Sequence, residues 1–140
     1  MSVKTFVDTN VLVYAYDLDA GHKHLVARRL LEGLWEAEAG ALSPQVLQEF
    51  YVNVTRKIAR PLLKHDARAI VNTYAPWSIV VTVTEIVDAF RIEDEAGINF
   101  WDALIVASAA RAGAARIVSE DLNPGQTIAG IKIESPFAGM

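Results

Sequence analysis

The 140-residue chain has the length of one ordinary domain, and 52% hydrophobic residues are enough for a core without disulfides or a structural metal. It contains no cysteine, which excludes a disulfide framework and a cysteine-based zinc site. The apolar runs are far shorter than the roughly 18 residues that a membrane span requires. The N-terminus enters an apolar strand pattern without a secretion signal. We therefore expect one domain over residues 1–140 in a cytoplasmic protein.

The formal net charge of −4 conceals two segments of opposite charge. Positions 56–68 contain five lysine and arginine residues and one acid, whereas positions 84–95 contain five acids and one arginine. Such a separation is compatible with nucleic acid bound on the basic side, and equally with two solvent-exposed helix faces. The candidate cations for contact with nucleic acid are Arg56, Lys57, Arg60 and Lys64.

Strand and helix patterns alternate along the first half of the chain. Apolar residues four apart at Val46, Phe50, Val54 and Ile58 indicate one face of a helix, and Ser43 followed by proline marks its beginning. The predicted elements are a strand over 3–7, a short helix over 11–16, a turn over 18–21, a helix over 22–38 that Gly40 ends, a strand over 41–42 and a helix from Pro44 that Pro61 closes.

The second half continues the alternation. The predicted elements are a helix over 64–74 that Pro76 ends, a strand over 79–83, a helix capped by Thr84, an alanine-rich helix from Asn99 to residue 112, a strand over 116–119 and a last strand over 131–133. Because residues 79–83 are continuous and β-branched, we expect that strand to be buried on both faces. The whole pattern predicts a three-layer α/β/α fold with a mainly parallel central sheet.

Four acids fall where the chemistry of such a fold is usually found, just beyond the carboxyl ends of parallel strands. Asp8 follows the first strand, Glu49 lies in the second turn of the helix after the second strand, Asp102 in the first turn of the alanine-rich helix, and Asp121 just past the strand near residue 118. Four converging carboxylates repel one another unless a cation lies between them, and oxygen ligands suit Mg²⁺ or Mn²⁺. The sequence therefore predicts a metal site in which these acids are the catalytic and metal-binding candidates.

Each acid also has a structural interpretation when taken alone. These interpretations are a helix cap for Asp8, a solvated helix position for Glu49, a favourable helix-dipole position for Asp102 and a turn residue for Asp121. Four independent coincidences at one sheet edge explain the pattern less well than one shared site. The apolar neighbours of Asp102, including Phe100 and Trp101, indicate a buried position, where an unpaired carboxylate is costly.

Two short polar residues beside the acids are candidate supporting groups. Asn10 and Ser119 are expected to orient the ligands or a water molecule. Their alternative role is to make the hydrogen bonds of a turn and a cap.

Taken in order, four segments resemble the successive motifs of PIN domains. They are residues 6–12 (FVDTNVL), 47–51 (LQEFY), 100–105 (FWDALI) and 119–122 (SEDL). The resemblance covers nearly the whole chain and is greatest with the free-standing PIN proteins that serve as VapC-type toxins of toxin–antitoxin pairs. Two positions depart from the pattern, because many members have threonine at Ser119 and an acid at Asn123. The missing acid puts a second metal position in doubt.

The resemblance implies a ribonuclease that uses Mg²⁺ or Mn²⁺, with Asp8 and Asp102 as the residues most often assigned to the metal. It also implies RNA as the substrate, products with 5′-phosphate and 3′-hydroxyl ends, a homodimer, and a small antitoxin that fills the acidic pocket. Trp101, Tyr14, Tyr16 and Tyr51 are candidates for stacking on bases. Leu12, Tyr16 and Trp35 are candidates for a groove that receives an antitoxin helix. Aromatic and apolar residues at helical spacing serve equally well as core.

Four alternative functions were weighed against this one. A haloacid-dehalogenase-type phosphotransferase needs a second aspartate where Asn10 stands, and a receiver domain needs an aspartate after its third strand, where none is in place. A PIN fold retained as an RNA-binding or regulatory module with little catalysis stays open, and so does an RNA-processing nuclease without an antitoxin.

Overall fold

The computed structural model describes residues 3–139, and its secondary structure confirms the predicted α/β class. The strands are β1 (Lys4–Val7), β2 (Gly40–Ala41), β3 (Ala114–Val118), β4 (Thr127–Ile128) and β5 (Ile131–Glu134). The α-helices are α1 (Thr9–Tyr14), α2 (His22–Glu36), α3 (Pro44–Arg56), α4 (Lys64–Tyr74), α5 (Val83–Ala96) and α6 (Phe100–Arg111). Short 3₁₀ helices occupy Leu18–Ala20 and Ala75–Trp77.

The five described strands form one sheet in the order β2-β1-β3-β5-β4. Strand β1 lies in the middle and pairs in parallel with β2 and β3, and β3 pairs in parallel with β5. Only the two-residue β4 runs antiparallel, at the edge beside β5. The carboxyl ends of four strands therefore meet at one edge, as the mainly parallel prediction requires.

The helices pack in two groups around this sheet. Helix α1 contacts α2 and α3, and α3 contacts α4, whereas α5 packs on α6, and α6 contacts β3 and β5. Residues 103–109 of α6 are all buried, because this helix lies between α5 and the sheet and its small side chains allow close packing. The largest fully buried side chains are Phe6, Phe50, Leu12, Leu42, Ile105, Ile117, Leu122 and Ile133.

The predicted buried strand over residues 79–83 is wrong. Ser78 makes a single parallel bridge with Leu42, and Ile79 donates its amide to the Leu42 carbonyl at 3.0 Å. Val80 is 72% exposed, and Val83 is already the first residue of α5. The segment is extended at the sheet edge, but the chain enters α5 at Val83 before further residues pair with the sheet.

Helix α5 is capped by Thr82, two residues before the predicted cap at Thr84, and begins at Val83. The Thr82 hydroxyl accepts from the Thr84 amide at 3.3 Å, and Glu85 Oε1 accepts from the Thr82 amide at 2.7 Å. This reciprocal pair is a capping box. The Thr82–Glu85 spacing was visible in the sequence, but the prediction of a strand over 79–83 obscured it.

Two other predicted helix ends are wrong. Helix α2 ends at Glu36 and the chain reverses through Glu38, which has φ of 53°, so Gly40 lies in β2 and not at a helix end. A Cβ at Gly40 would lie 2.5 Å from Trp77 Cε2, so a close approach requires the glycine. Helix α3 ends at Arg56, well before Pro61, which leaves Ile58 outside the helix.

None of the helices in residues 3–139 is long and apolar enough to cross a membrane. The expectations of one domain over residues 1–140 and of a cytoplasmic location stay predictions.

Candidate active site

A cleft of about 630 Å³ opens beside the carboxyl ends of β1 and β3. All four acids singled out from the sequence line it, although they lie far apart along the chain. The lining residues are Asp8, Thr9, Asn10, Val13, Tyr14, Gln48, Glu49, Val52, Asn53, Lys57, Asp102 and Asp121. The fold therefore brings together the carboxylates that the sequence analysis grouped.

Asp8 is the most buried of the four acids, with 7% of its surface exposed. It caps α1, because Oδ1 accepts from the Thr9 amide at 2.8 Å. Its other oxygen, Oδ2, accepts from the Ser119 hydroxyl at 2.7 Å and from Asn10 Nδ2 at 3.2 Å. Asp8 thus caps a helix and also faces the cleft, so its structural and functional interpretations are compatible.

Asn10 and Ser119 hydrogen-bond the carboxylates of the cleft and also the backbone of the turn after β3. Besides Asp8, Asn10 Nδ2 reaches Asp121 Oδ2 at 3.3 Å, and Asn10 Oδ1 accepts from the Glu120 amide at 3.0 Å. The buried Ser119 hydroxyl accepts from the amides of Asp121 and Leu122 at 3.2 and 3.1 Å. These contacts tie the turn after β3 to the end of β1.

The other two acids are held by different neighbours. The Thr9 hydroxyl donates to Glu49 Oε1 at 2.6 Å. At the start of α6, Asn99 Oδ1 accepts from the Asp102 amide, and Asn99 Nδ2 donates to Asp102 Oδ2, both at 2.9 Å. Asn99 is therefore the predicted helix cap, and the same side chain orients the carboxylate of Asp102.

The acids perturb one another electrostatically. Burial raises the pKa of Asp8 from 3.8 to about 6; hydrogen bonds from Ser119 and Thr9 oppose that rise, and the charges of Asp102 and Glu49 add to it. Burial also raises the pKa of Asp102, the hydrogen bond from Asn99 opposes that rise, and the charges of Asp121 and Glu49 reinforce it. The cleft therefore favours protons, or another cation, over bare carboxylates.

The donor set of the cleft fits a small divalent cation. Mg²⁺ is commonly bound by one or two carboxylates, with water and substrate phosphate oxygens completing its octahedron. Within residues 3–139, no three His, Asp or Glu side chains are arranged to hold an ion by themselves. Two carboxylates such as Asp8 and Asp102, completed by water and substrate, are therefore the arrangement that suits this site.

The family model of the PIN domain matches residues 5–127. The chain belongs to the PIN domain family. No curated protein sequence matches the chain. One solved structure of similar fold is VapBC2 from Rickettsia felis, bound to a DNA fragment from its promoter. The TM-score with a chain of that structure is 0.62 at 18% identity, over 95% of this chain and 98% of that chain.

A second solved structure is similar to this PIN domain. It is VapC20 from Mycobacterium tuberculosis, described as a sarcin-ricin loop cleaving toxin. The TM-score is 0.60 at 22% identity, over 86% of this chain and 92% of that chain. At such identities the two likenesses concern the fold.

One of the four predicted RNA-binding cations lines the acidic cleft of this PIN domain. Lys57 follows α3 directly and contributes to the lining, whereas Arg56 and Lys64 do not. Arg60 donates from Nε and Nη2 to the carboxylate of Asp19, at 2.9 and 3.2 Å. The basic segment therefore reaches the cleft through Lys57.

Several lining residues were not predicted from the sequence, although helical spacing could have identified some of them. Asn53 lies four residues after Glu49 on α3 and so shares a helix face with a predicted site residue. Tyr14, which was predicted only as a candidate for stacking on bases, lies four residues after Asn10 on α1 in the same way. Thr9 follows Asp8 directly. The same periodicity that located the core could have located this polar face.

The candidate stacking and groove residues have separate environments. Trp101 was expected to be buried but is 60% exposed, next to Asp102. Leu12 is fully buried, so it belongs to the core and cannot line a groove. Tyr16 hydrogen-bonds Tyr74 hydroxyl to hydroxyl at 3.0 Å, and Trp35 packs edge-on against Tyr74 at 5.8 Å between ring centroids.

Proposed function

We propose that this PIN domain is a Mg²⁺-dependent endoribonuclease that hydrolyses RNA phosphodiester bonds. The observation that carries the proposal is the single cleft lined by Asp8, Glu49, Asp102 and Asp121. Burial and mutual repulsion raise the pKa of Asp8 and Asp102, so a divalent cation between them relieves an unfavourable arrangement.

In this proposal Asp8 and Asp102 hold the ion, and Glu49 and Asp121 complete the negative lining. When bound, Mg²⁺ supplies an activated water and neutralises charge that develops on the scissile phosphate. Mn²⁺, which prefers the same oxygen ligands, is expected to substitute.

The supporting residues keep the carboxylate oxygens in place before substrate arrives. Ser119 and Asn10 fix Asp8, Thr9 fixes Glu49, and Asn99 fixes Asp102, each through the hydrogen bonds described above. Preorganised ligands favour catalysis because little reorganisation is needed when charge develops.

Lys57 is proposed to contact an RNA phosphate at the rim of this cleft. Lys57→Met is expected to weaken RNA binding and to reduce the slope of log affinity against log salt by about 0.7, the value for one phosphate contact on a single strand. The measurement is fluorescence anisotropy of a labelled RNA over a salt series. Lys132→Met is the matched control, because Lys132 is exposed, lies away from the cleft and pairs with Glu134. Equal slopes for the two variants would remove Lys57 from the RNA path.

The nuclease is tested by incubating purified protein with a mixed RNA pool in Mg²⁺, in chelator, and in Mg²⁺ with Asp102→Asn. We expect cutting in Mg²⁺, none in chelator, and a loss of at least about a hundredfold in the variant, because one charged metal ligand is removed while its shape is kept. Cutting that persists in chelator or in the variant would contradict the proposed site. A folded protein that binds Mg²⁺ and cuts no RNA would favour the RNA-binding or regulatory module.

We further propose that the nuclease is the toxin of a type II toxin–antitoxin pair, acts as a homodimer and has a small antitoxin partner. The four ordered motifs and the fold shared with VapBC2 and VapC20 support this biological role. A neighbouring reading frame that encodes a small protein, and inhibition of cutting by that protein, would distinguish it from an RNA-processing nuclease without an antitoxin.

A further inference from the structure

Glu120 and Asp121 are adjacent acids just after β3, and the structure places them differently. Asp121 lines the cleft with the three other acids, whereas Glu120 is absent from its lining. The Glu120 carboxylate instead accepts a hydrogen bond from the Tyr14 hydroxyl at 2.7 Å and forms an ion pair with Lys23. The two adjacent side chains therefore separate, because Asp121 faces the cleft and Glu120 faces Tyr14 and Lys23.

Asn10 and Ser119 also hold the backbone of the same turn. The Glu120 amide donates to Asn10 Oδ1 at 3.0 Å, and Asn10 Nδ2 donates to Asp121 Oδ2 at 3.3 Å. Ser119 Oγ accepts the amides of Asp121 and Leu122, and the Leu122 side chain is only 2% exposed. The turn is therefore held by the burial of Leu122 in the core, by the hydrogen bonds of Asn10 and Ser119, and by the side-chain contacts of Glu120.

The groups that anchor Glu120 are themselves packed. The Tyr14 ring contacts Phe137 edge-on, with 5.2 Å between ring centroids. The Lys23 ammonium lies 5.2 Å from the Tyr14 ring centroid and 5.7 Å from that of Phe137, so it contacts both rings as well as the carboxylate. The anchor thus joins α1, α2 and the C-terminal segment to one carboxylate.

We propose that Glu120 is a positioning residue: held by Tyr14 and Lys23, it directs Asp121 into the cleft. The inference rests on the proposed nuclease only in giving Asp121 a task there. The pairing with Lys23 also keeps a fifth negative charge balanced outside the cleft, where it adds no uncompensated repulsion between the acids.

The first test uses the metal-free protein and needs no nuclease activity. Amide hydrogen exchange of Asp121 and Leu122, followed by NMR, is expected to accelerate about tenfold in Glu120→Ala and Lys23→Met, because a charge-assisted anchor of the turn is lost. Glu120→Gln should restore much of the protection, since its amide oxygen still accepts from Tyr14. Unchanged exchange in both Glu120→Ala and Lys23→Met would overturn the proposal. If Glu120→Ala does not fold, Lys23→Met carries the test.

Matched controls separate positioning from general loss of stability. Tyr74→Phe removes a tyrosine hydrogen bond away from the cleft, and Arg91→Met breaks the exposed ion pair with Glu95 on α5. Both are expected to leave exchange at Asp121 and Leu122 unchanged. Acceleration of those two amides in the controls as well would mean that the turn reports overall stability, and would contradict a specific anchor.

The second test measures RNA cleavage at varied Mg²⁺. Glu120→Ala and Lys23→Met are each expected to raise the half-saturating Mg²⁺ concentration about three- to tenfold with the KM for RNA unchanged, and the double variant should add little. Additive effects, or a change confined to the KM for RNA, would contradict positioning. If amide exchange is accelerated in Glu120→Ala and Lys23→Met but the wild-type protein cuts no RNA, the positioning role of Glu120 is upheld and the proposed nuclease activity is rejected.

Discussion

Asp8→Asn is expected to lower Mg²⁺-dependent RNA cleavage at least about a thousandfold and to stabilise the metal-free protein by about 2–3 kcal/mol at pH 7. The loss follows because Asp8 is proposed to hold the ion, whose charge stabilisation contributes several kcal/mol. The gain follows because burial raises the pKa of Asp8 from 3.8 to about 6, so its ionised form is disfavoured in the folded protein. One substitution should therefore move activity and stability in opposite directions.

Asparagine keeps the helix cap that Asp8 makes, and replaces the Oδ2 acceptor of Ser119 and Asn10 with an amide group. Its side-chain oxygen can still accept from the Thr9 amide and cap α1, as the carboxylate does at 2.8 Å. Cleavage assays and urea unfolding in chelator measure the two effects. Asp94→Asn, which removes an exposed charge on α5, is the control and should change neither. An Asp8→Asn protein that cuts RNA at the wild-type rate, or that is less stable than wild type, would refute this role of Asp8.

Ionisation of Asp8 is expected to cost the metal-free protein about 2–3 kcal/mol of stability as the pH rises from 4 to 7, measured as the difference from Asp8→Asn, and Mg²⁺ should restore it. The carboxyl of Asp8 has a pKa of 3.8 in the unfolded chain and about 6 in the folded protein, so the folded state binds the proton more tightly. That contribution is complete below pH 3.8 and is lost as the pH rises through about 6. The raised pKa of Asp102 acts in the same direction.

Metal binding should reverse this dependence because it acts only on the ionised, folded site. A saturating ligand at a hundred times its dissociation constant adds about 2.7 kcal/mol, enough to offset the loss at pH 7. The measurement is urea unfolding between pH 4 and 8, with Mg²⁺ and with chelator. Asp8→Asn serves as the reference, since other groups act in acid: the hydrogen bond from Arg116 lowers the pKa of Glu134, which loses its stabilising contribution at low pH. Superimposable pH curves for wild type and Asp8→Asn would show that Asp8 is not the group responsible.

Short-range patterns carried most of the fold prediction. Helix α4 has the predicted bounds, and Asn99 caps α6 through the Asp102 amide, because helix faces and caps depend on residues within four positions of each other. The same locality placed Asp8 and Asp102 near strand or helix ends. Parallel topology then placed those ends at one edge of the sheet.

Predictions failed where pairing partners lie far apart in sequence. The β-branched run at 79–83 has strand propensity, yet its pairing goes no further than the bridge of the preceding Ser78 with Leu42 and the Ile79 amide bond to Leu42, and Val80 is left in solvent. Gly40 was predicted to end a helix, but it lies in β2, where the close approach of Trp77 requires its small size. Propensity describes what a segment can adopt, and long-range contacts choose among the possibilities.

The sequence by itself determined the α/β class, most of the helices and the choice of the four carboxylates, because helical periodicity, capping and strand ends are local properties. Only the tertiary structure decided that Lys57 alone of the four predicted RNA-binding cations lines the cleft, and which contacts hold Glu120 away from it. Those choices depend on contacts such as Tyr14 with Glu120, which are 106 positions apart. Side-chain direction is set by distant partners, whose positions become known only when the chain is folded.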